Sequence, residues 1–204
     1  MIIYEEKIAP NARRVRMFLS EKKMLDQVEF VQLDLKAGDN ISAEFRQKNP
    51  MAKIPVLEFE DGTYLSESIA ICRYFEALNP QSPLMGQSPV EQATIEMWQR
   101  RCEFYFMNMV GMGFQHTSGF FSDRMKPVHE WGEECVKSSV SFFDLLEMHL
   151  ADNKYIAGDA FSVADITAFV TVDFARVIRL KMTDAHVNLK AWYERINARE
   201  SARV

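Results

Sequence analysis

The sequence predicts a two-part protein, a small α/β unit over residues 1–80 followed by an all-helical unit over 88–204. Three observations predict it. Strand-like runs (MIIY, VEFVQLDL, VLEFE and TYL) occur only in the first 65 residues. The stretch NPQSPLMGQSP (79–89) is rich in Pro, Ser and Gly and reads as a linker. Beyond it, apolar residues recur only at helical spacing.

Each element of the first unit has its own signal. MIIY is a strand, and Asn11 to about Met24 a helix with Val15, Phe18 and Leu19 on one face. VEFVQLDL (28–35) is a second strand, with Val31, Leu33 and Leu35 alternating. A short helix around SAEFRQKN follows, with Ser42 as its N-cap. VLEFE and TYL, joined by Asp61-Gly62, form a hairpin, because Asp-Gly suits the positive φ angles of a tight hairpin turn. Ile71, Tyr74, Phe75 and Leu78 then make the buried stripe of a helix starting near Ser66–Ser68. The order is β-α-β-α-β-β-α.

In the second unit, Trp98, Cys102, Tyr105, Met109 and Met112 mark one long helix, and Trp131, Cys135, Phe142 and Leu146 another. Ser162-Val163-Ala164-Asp165 is a capping-box-like start, with Asp in place of the usual Glu, for a helix carrying Ile166, Phe169 and Val170. Leu189, Trp192, Tyr193 and Ile196 mark a last helix.

Composition excludes several classes. Apolar residues make up 48% and charged ones 26%, which supports a buried core in a soluble chain. Net charge is −5 and the basic residues are scattered, so no footprint for nucleic acid exists. The pairs Arg13–Arg14 and Arg100–Arg101 read as solvated helix faces. The start MIIYEEK is not a signal peptide, and no apolar stretch nears the ~20 residues of a membrane helix. Cys72, Cys102 and Cys135 lie far apart inside helical patterns, as buried thiols of a reducing cytoplasm do, and no metal-ligand spacing occurs.

Three stretches carry chemistry. In KNPMAKIPVLEF (48–59), Pro55 stands immediately before a strand, where its missing N–H is tolerated. The Ile54–Pro55 bond either opens that strand in trans or, in cis, turns the Ile54 main chain outward to pair with an extended peptide. In GTYLSESIAICRYF, Glu67 and Ser68 fall where strand hands over to helix. There a helix N-terminus attracts a carboxylate, Ser68 offers a hydroxyl, and Glu67 accepts from an amine, a set suited to an amino-acid head group. Ser66 or Ser68 equally serves as a plain helix cap. In CEFYFMNMVGMGFQHTSGFF (102–121), abundant Met and Phe suit either helix core or an adaptable apolar pocket.

Taken together and in this order, PNARRVRMFLSEK, NPMAKIPVLE, LSESIAICRYFE, FSVADITAF and NLKAWYERI resemble the glutathione S-transferase family over nearly the whole chain. The resemblance implies a thioredoxin-like N-terminal domain that binds glutathione and an all-helical domain that shapes a pocket for an apolar electrophile. Carried over by position, the Ile54 main chain, beside Pro55, pairs with the cysteinyl part of glutathione. Glu67 and Ser68 hold its γ-glutamyl end, and Lys53 and Asn40 meet its glycyl end. Tyr105, Met109, Met112, Phe114 and His116 line the electrophile pocket, with His116 either structural or an acid/base group. The resemblance further implies a cytoplasmic homodimer without a metal, acting in detoxification.

One position departs from the pattern. Ser-using branches of the family activate the glutathione thiol with a hydroxyl after strand 1. The matching position here is Ala9, followed by Pro10, so neither side chain donates a hydrogen bond. Asn11 stands next, either as a helix cap or as a donor to sulfur, and Tyr4 at the end of strand 1 is a second candidate. Tyr105 is a more distant third. Two other readings share the scaffold: a non-catalytic binding or regulatory protein, and a glutathione-dependent isomerase or disulfide reductase. The isomerase branch carries a Ser-Ser-Cys turn where this chain has Ala9-Pro10-Asn11.

Overall fold

The computed structural model describes residues 1–204, which divide into two compact units. The first comprises Met1–Ser82 together with Glu200–Val204, and the second Pro83–Arg199.

In the first unit, β1 (Ile2–Glu5), β2 (Glu29–Gln32), β3 (Val56–Glu58) and β4 (Tyr64–Ser66) form one sheet in the order β2-β1-β3-β4. β1 runs parallel to β2 with Ile3 opposite Phe30, and antiparallel to β3 with Ile3 opposite Leu57. Alternation along β1 assigns its side chains to opposite faces. Glu5 is buried and accepts from Arg16 Nε of α1 (Pro10–Glu21) at 2.7 Å. Tyr4 points the other way, edge-on to Phe45 of α2 (Ala43–Lys48). α3 (Ser68–Leu78) packs with α1, and Val15, Phe18, Leu19, Ile71 and Phe75 are fully buried there.

Several boundaries differ from expectation for identifiable reasons. The second strand stops at Gln32, three residues early, because Asp34 folds back to accept the Ala37 N–H at 2.8 Å. The hairpin loop is three residues, Glu60-Asp61-Gly62, rather than two. Phe59 N–H donates to Thr63 O, and Gly62 takes φ +81°, the left-handed position of a bulged turn. Arg14 is not on a solvated face but fully buried. The last residues return to this unit, where Arg13 Nη2 donates to Ala202 O at 3.2 Å.

In the second unit the expected long helix is interrupted. α4 (Pro89–Cys102) and α5 (Asn108–Thr117) are joined by a π-helical turn, Glu103–Met107. α4 opens with a capping box in which Glu91 Oε2 accepts the Ser88 N–H at 2.9 Å. The linker is less open than its composition suggests, since Leu84 and Met85 are buried and Leu84 O accepts the Val163 N–H. α6 (His129–Asp152) lies close against α5 where Gly132 permits it: a Cβ there would stand 2.7 Å from Thr117 and 2.9 Å from His116. α7 (Val163–Phe174) is the core helix, buried at every residue from Val163 to Val172. Its N-terminus is held by Asp165, which accepts from the Ser162 and Ile156 N–H groups and the Trp192 indole of α8 (Val187–Asn197), each at 2.9 Å.

Candidate functional site

The turn between β1 and α1 is built without a side-chain cap. α1 begins at Pro10, whose fixed φ suits a first helical residue, and Ala9 is the N-cap with no side-chain hydrogen bond. The cap role open to Asn11 is thereby excluded, because Asn11 already lies inside the first turn. Ala9 N–H is used by Glu6 O, and Arg13 N–H by Ala9 O. Pro10 has no N–H, so Asn11 and Ala12 carry the amide hydrogens without acceptors in the helix.

Asn11 reaches the start of α3 instead. Ser68 Oγ donates to Asn11 Oδ1 at 3.3 Å and accepts from Arg14 Nη1 at 3.0 Å. The two helix N-termini, with their partial positive charge, thus meet at one spot beside a buried guanidinium. Glu67 precedes Ser68 with φ +69°, a left-handed conformation that costs about 1–3 kcal/mol for a non-glycine residue and concentrates at ligand sites. Its side chain is exposed, while Ser68 is buried.

The loop before β3 carries the other expected residues of this unit. Asn49, buried and unremarked in the sequence reading, donates to Lys53 O at 2.8 Å and accepts from the Met51 N–H at 3.1 Å. The Asn-Pro dipeptide at 49–50 was its available signal, a recognised start of turns. Ala52 takes φ +54°, and Ile54–Pro55 is cis. Sheet pairing begins only at Val56, so the Ile54 main chain enters none of it. Asn40 Nδ2 donates to Ala52 O at 2.7 Å, and its Oδ1 is buried without a partner. An acceptor so placed fits a ligand that brings a donor. Lys53 is exposed.

Tyr4 is not brought to this cluster. It projects from the opposite face of the sheet, where its hydroxyl donates to Glu58 Oε2 at 2.6 Å and Lys48 Nζ lies 4.6 Å from its ring. The hydrogen bond to Glu58, with burial, raises its phenol above the ordinary value.

The five apolar-pocket residues of the second unit do not form one group. Tyr105 and Met109 line a cavity of about 300 Å³ with Ser138, Ser141, Phe142 and Leu145 of α6. Phe114 sits instead among Phe120, Phe121 and Phe174, with ring centroids 5.4–6.0 Å away. His116 Nδ1 accepts the Val128 N–H at 3.0 Å, which fixes its tautomer and gives it a structural role. Met112 is half-buried on α5. No three His, Cys, Asp or Glu side chains cluster as metal ligands would. No helix is long and apolar enough to cross a membrane.

Residues 8–78 match the family model of the glutathione S-transferase N-terminal domain, and residues 129–200 that of the C-terminal domain. Glutathione S-transferase 2 of Saccharomyces cerevisiae is 34% identical over 205 aligned positions, covering 100% of this chain and 88% of the yeast protein. The crystal structure of Gtt2 from Saccharomyces cerevisiae superposes with a TM-score of 0.95 at 35% identity, over 100% of this chain and 99% of that one. A probable elongation factor 1-gamma of Arabidopsis thaliana is 30% identical over 85% of this chain, which spans only 43% of that longer protein. Matched by both domain models and, over its whole length, by the yeast transferase, the chain belongs to the glutathione S-transferase family.

Proposed function

We propose that the protein is a glutathione transferase whose thiol-activating group is the Asn11 amide together with the N-terminus of α1. The observation that carries this reading is the Ser68–Asn11 hydrogen bond, which joins the N-termini of α1 and α3 in one electropositive corner. The γ-glutamyl carboxylate meets the Ser68 main-chain N–H and the start of α3, and its ammonium meets Glu67. The cysteinyl main chain pairs with Ile54, before Pro55, and the glycyl end reaches Asn40 and Lys53. Sulfur then takes hydrogen bonds from Asn11 Nδ2 and from the unused amide hydrogens of α1.

The energetics are sufficient. A thiol of pKa near ~8.5 is only a few per cent ionised at neutral pH. Lowering that value by about two requires ~2.7 kcal/mol favouring the anion. One hydrogen bond to a charged acceptor contributes about 1.5–3 kcal/mol and a helix N-terminus about 0.3–1. The thiolate attacks an electrophilic carbon, forming the S–C bond as the bond to the leaving group breaks. Of the residues the resemblance assigns to that second substrate, Tyr105 and Met109 share one open, largely apolar pocket, whereas Phe114 and His116 are engaged elsewhere. The protein acts in the cytoplasm and in detoxification, and it forms a homodimer, for which exposed Met97, Phe104 and Met148 on the second unit offer apolar surface.

Thiolate absorbance of bound glutathione, titrated from pH 5 to 9 in the native chain and Asn11→Ala, tests the reading. A bound thiol with pKa at or below about 7, rising in the variant, sustains it. Ala9 and the likeness to an elongation factor subunit favour a second reading, a non-catalytic binding protein. Glutathione bound with an unshifted thiol, or not bound at all, selects that one.

A further inference from the structure

Arg14 is the least expected residue of the site. It is fully buried, and the guanidinium stays charged at any pH the protein meets. It offers only donors, so Ser68 must accept from it. Ser68 has one hydroxyl hydrogen, and the Arg14 contact leaves that hydrogen for Asn11 Oδ1. An amide held by its oxygen presents its NH₂ on the other side. The three residues therefore form a directed chain, Arg14 to Ser68 to Asn11, in which each hydrogen points toward the β1–α1 turn.

We propose that Arg14 is the positioning residue for thiol activation: through Ser68 it turns the Asn11 amide oxygen inward and its NH₂ outward, as donor to sulfur. The inference rests on the transferase reading above. It assigns the work of a missing hydroxyl to a relay whose anchor lies beneath the site. Asn11 alone, free to rotate its amide, would present oxygen to the sulfur as readily as nitrogen, and oxygen would repel a thiolate.

The test is a double-mutant comparison read through the thiolate titration at saturating glutathione. The native chain, Asn11→Ala, Arg14→Lys and the pair are titrated, with circular dichroism confirming each fold. Lysine keeps the charge and loses the Nη1–H, fixed by the planar guanidinium, that reaches Ser68. Arg14→Lys is expected to raise the bound thiol pKa by about one, a tenfold loss of thiolate, and to add nothing in the Asn11→Ala background. Binding of S-methylglutathione, which cannot ionise at sulfur, is expected to change less than about threefold, or ~0.6 kcal/mol. Should Arg14→Lys fail to fold, Ser68→Ala breaks the same relay while keeping the guanidinium itself, and is expected to match Asn11→Ala in bound thiol pKa. A native-like pKa in Arg14→Lys or Ser68→Ala overturns the relay while leaving the transferase reading intact, as does an Arg14→Lys effect that persists undiminished without Asn11. A native chain that leaves the thiol unshifted overturns both.

Discussion

Two helix starts in this molecule are built to opposite specifications. At α7, Asp165 collects the Ser162 and Ile156 amides and the Trp192 indole, all in the core. At α1, Ala9 contributes no side-chain bond, and the Asn11 and Ala12 amides go unused within the helix. One N-terminus is closed from inside; the other carries no side-chain cap. Capping groups tell stability from function here more clearly than burial does, because the two helices are both well packed and differ only in who satisfies their first turn.

The sharpest way to break this comparison is Asp165→Ala. It strands several buried donors at ~1–3 kcal/mol each, so chemical denaturation at pH 7 should show a loss of about 4 kcal/mol. Burial pushes the Asp165 carboxyl up to about 6, against the pull of its amide, hydroxyl and indole donors. The folded state then holds this proton more tightly than the unfolded chain, whose value is near 3.9. Relative to the alanine variant, the native chain should lose about 3 kcal/mol as pH rises from about 3 to 7, about 2 of it between pH 4 and 6, and nothing further above.

Glu147 supplies a second closed start with the opposite pH sign. It caps α8 from a distance, accepting from the Asn188 and Leu189 amides at 3.0 and 2.9 Å. Burial pushes its carboxyl up, but those amide bonds and the Asn188 side chain carry it below the ordinary value. Its stabilisation is present above the unfolded pKa and lost as pH falls through the folded one. Glu147→Gln should cost about 1–2 kcal/mol at pH 7 and progressively less in acid, read from thermal melts at several pH values.

The open start should respond differently. Ala9 has the extended backbone of a capping residue, so Ala9→Ser should stabilise the fold by about 1 kcal/mol, seen as a higher denaturation midpoint. Asn11→Ala should move stability least, by less than about 1 kcal/mol, while its effect on the bound thiol is large. A stability loss rivalling that of Asp165→Ala would erase the distinction between the two starts.

The sequence displayed the closed start and hid half of the open one. Ser162 and Asp165 stand at capping-box spacing, and Glu67–Ser68 stand where a strand hands over to a helix, because local signals survive in a linear string. Asn11 was legible as a residue but not as a role: only the Ser68 contact, 57 residues away, shows which way its amide faces. Arg14 was misread because a basic pair on a helix is usually solvated, and no local pattern reveals which of two neighbouring arginines the fold encloses. Tyr4 stands apart for a related reason: alternation says that neighbouring residues part company, but not which of them faces α1. The apolar pocket divided because side-chain direction on a helix depends on its phase: Phe114 stands five residues, about 140° round α5, from Met109, and the phase itself slips just before, at residues 103–107.

That slip leaves a trace of another kind. A π turn houses one residue more than the α-helix around it. The five residues of that turn sweep about the same angle as four of an α-helix, so removing one from Glu103–Met107 would heal the spiral and leave everything after it facing as it does now. Phe114 would stay among Phe120, Phe121 and Phe174, and Gly113 would still meet Val136 and Ile178. The same deletion within Asn108–Thr117 would instead swing the residues that follow through about 100°. The stretch therefore works as an expansion joint in the length of the chain, the one place where this helix can lose a residue without rewriting the face that follows.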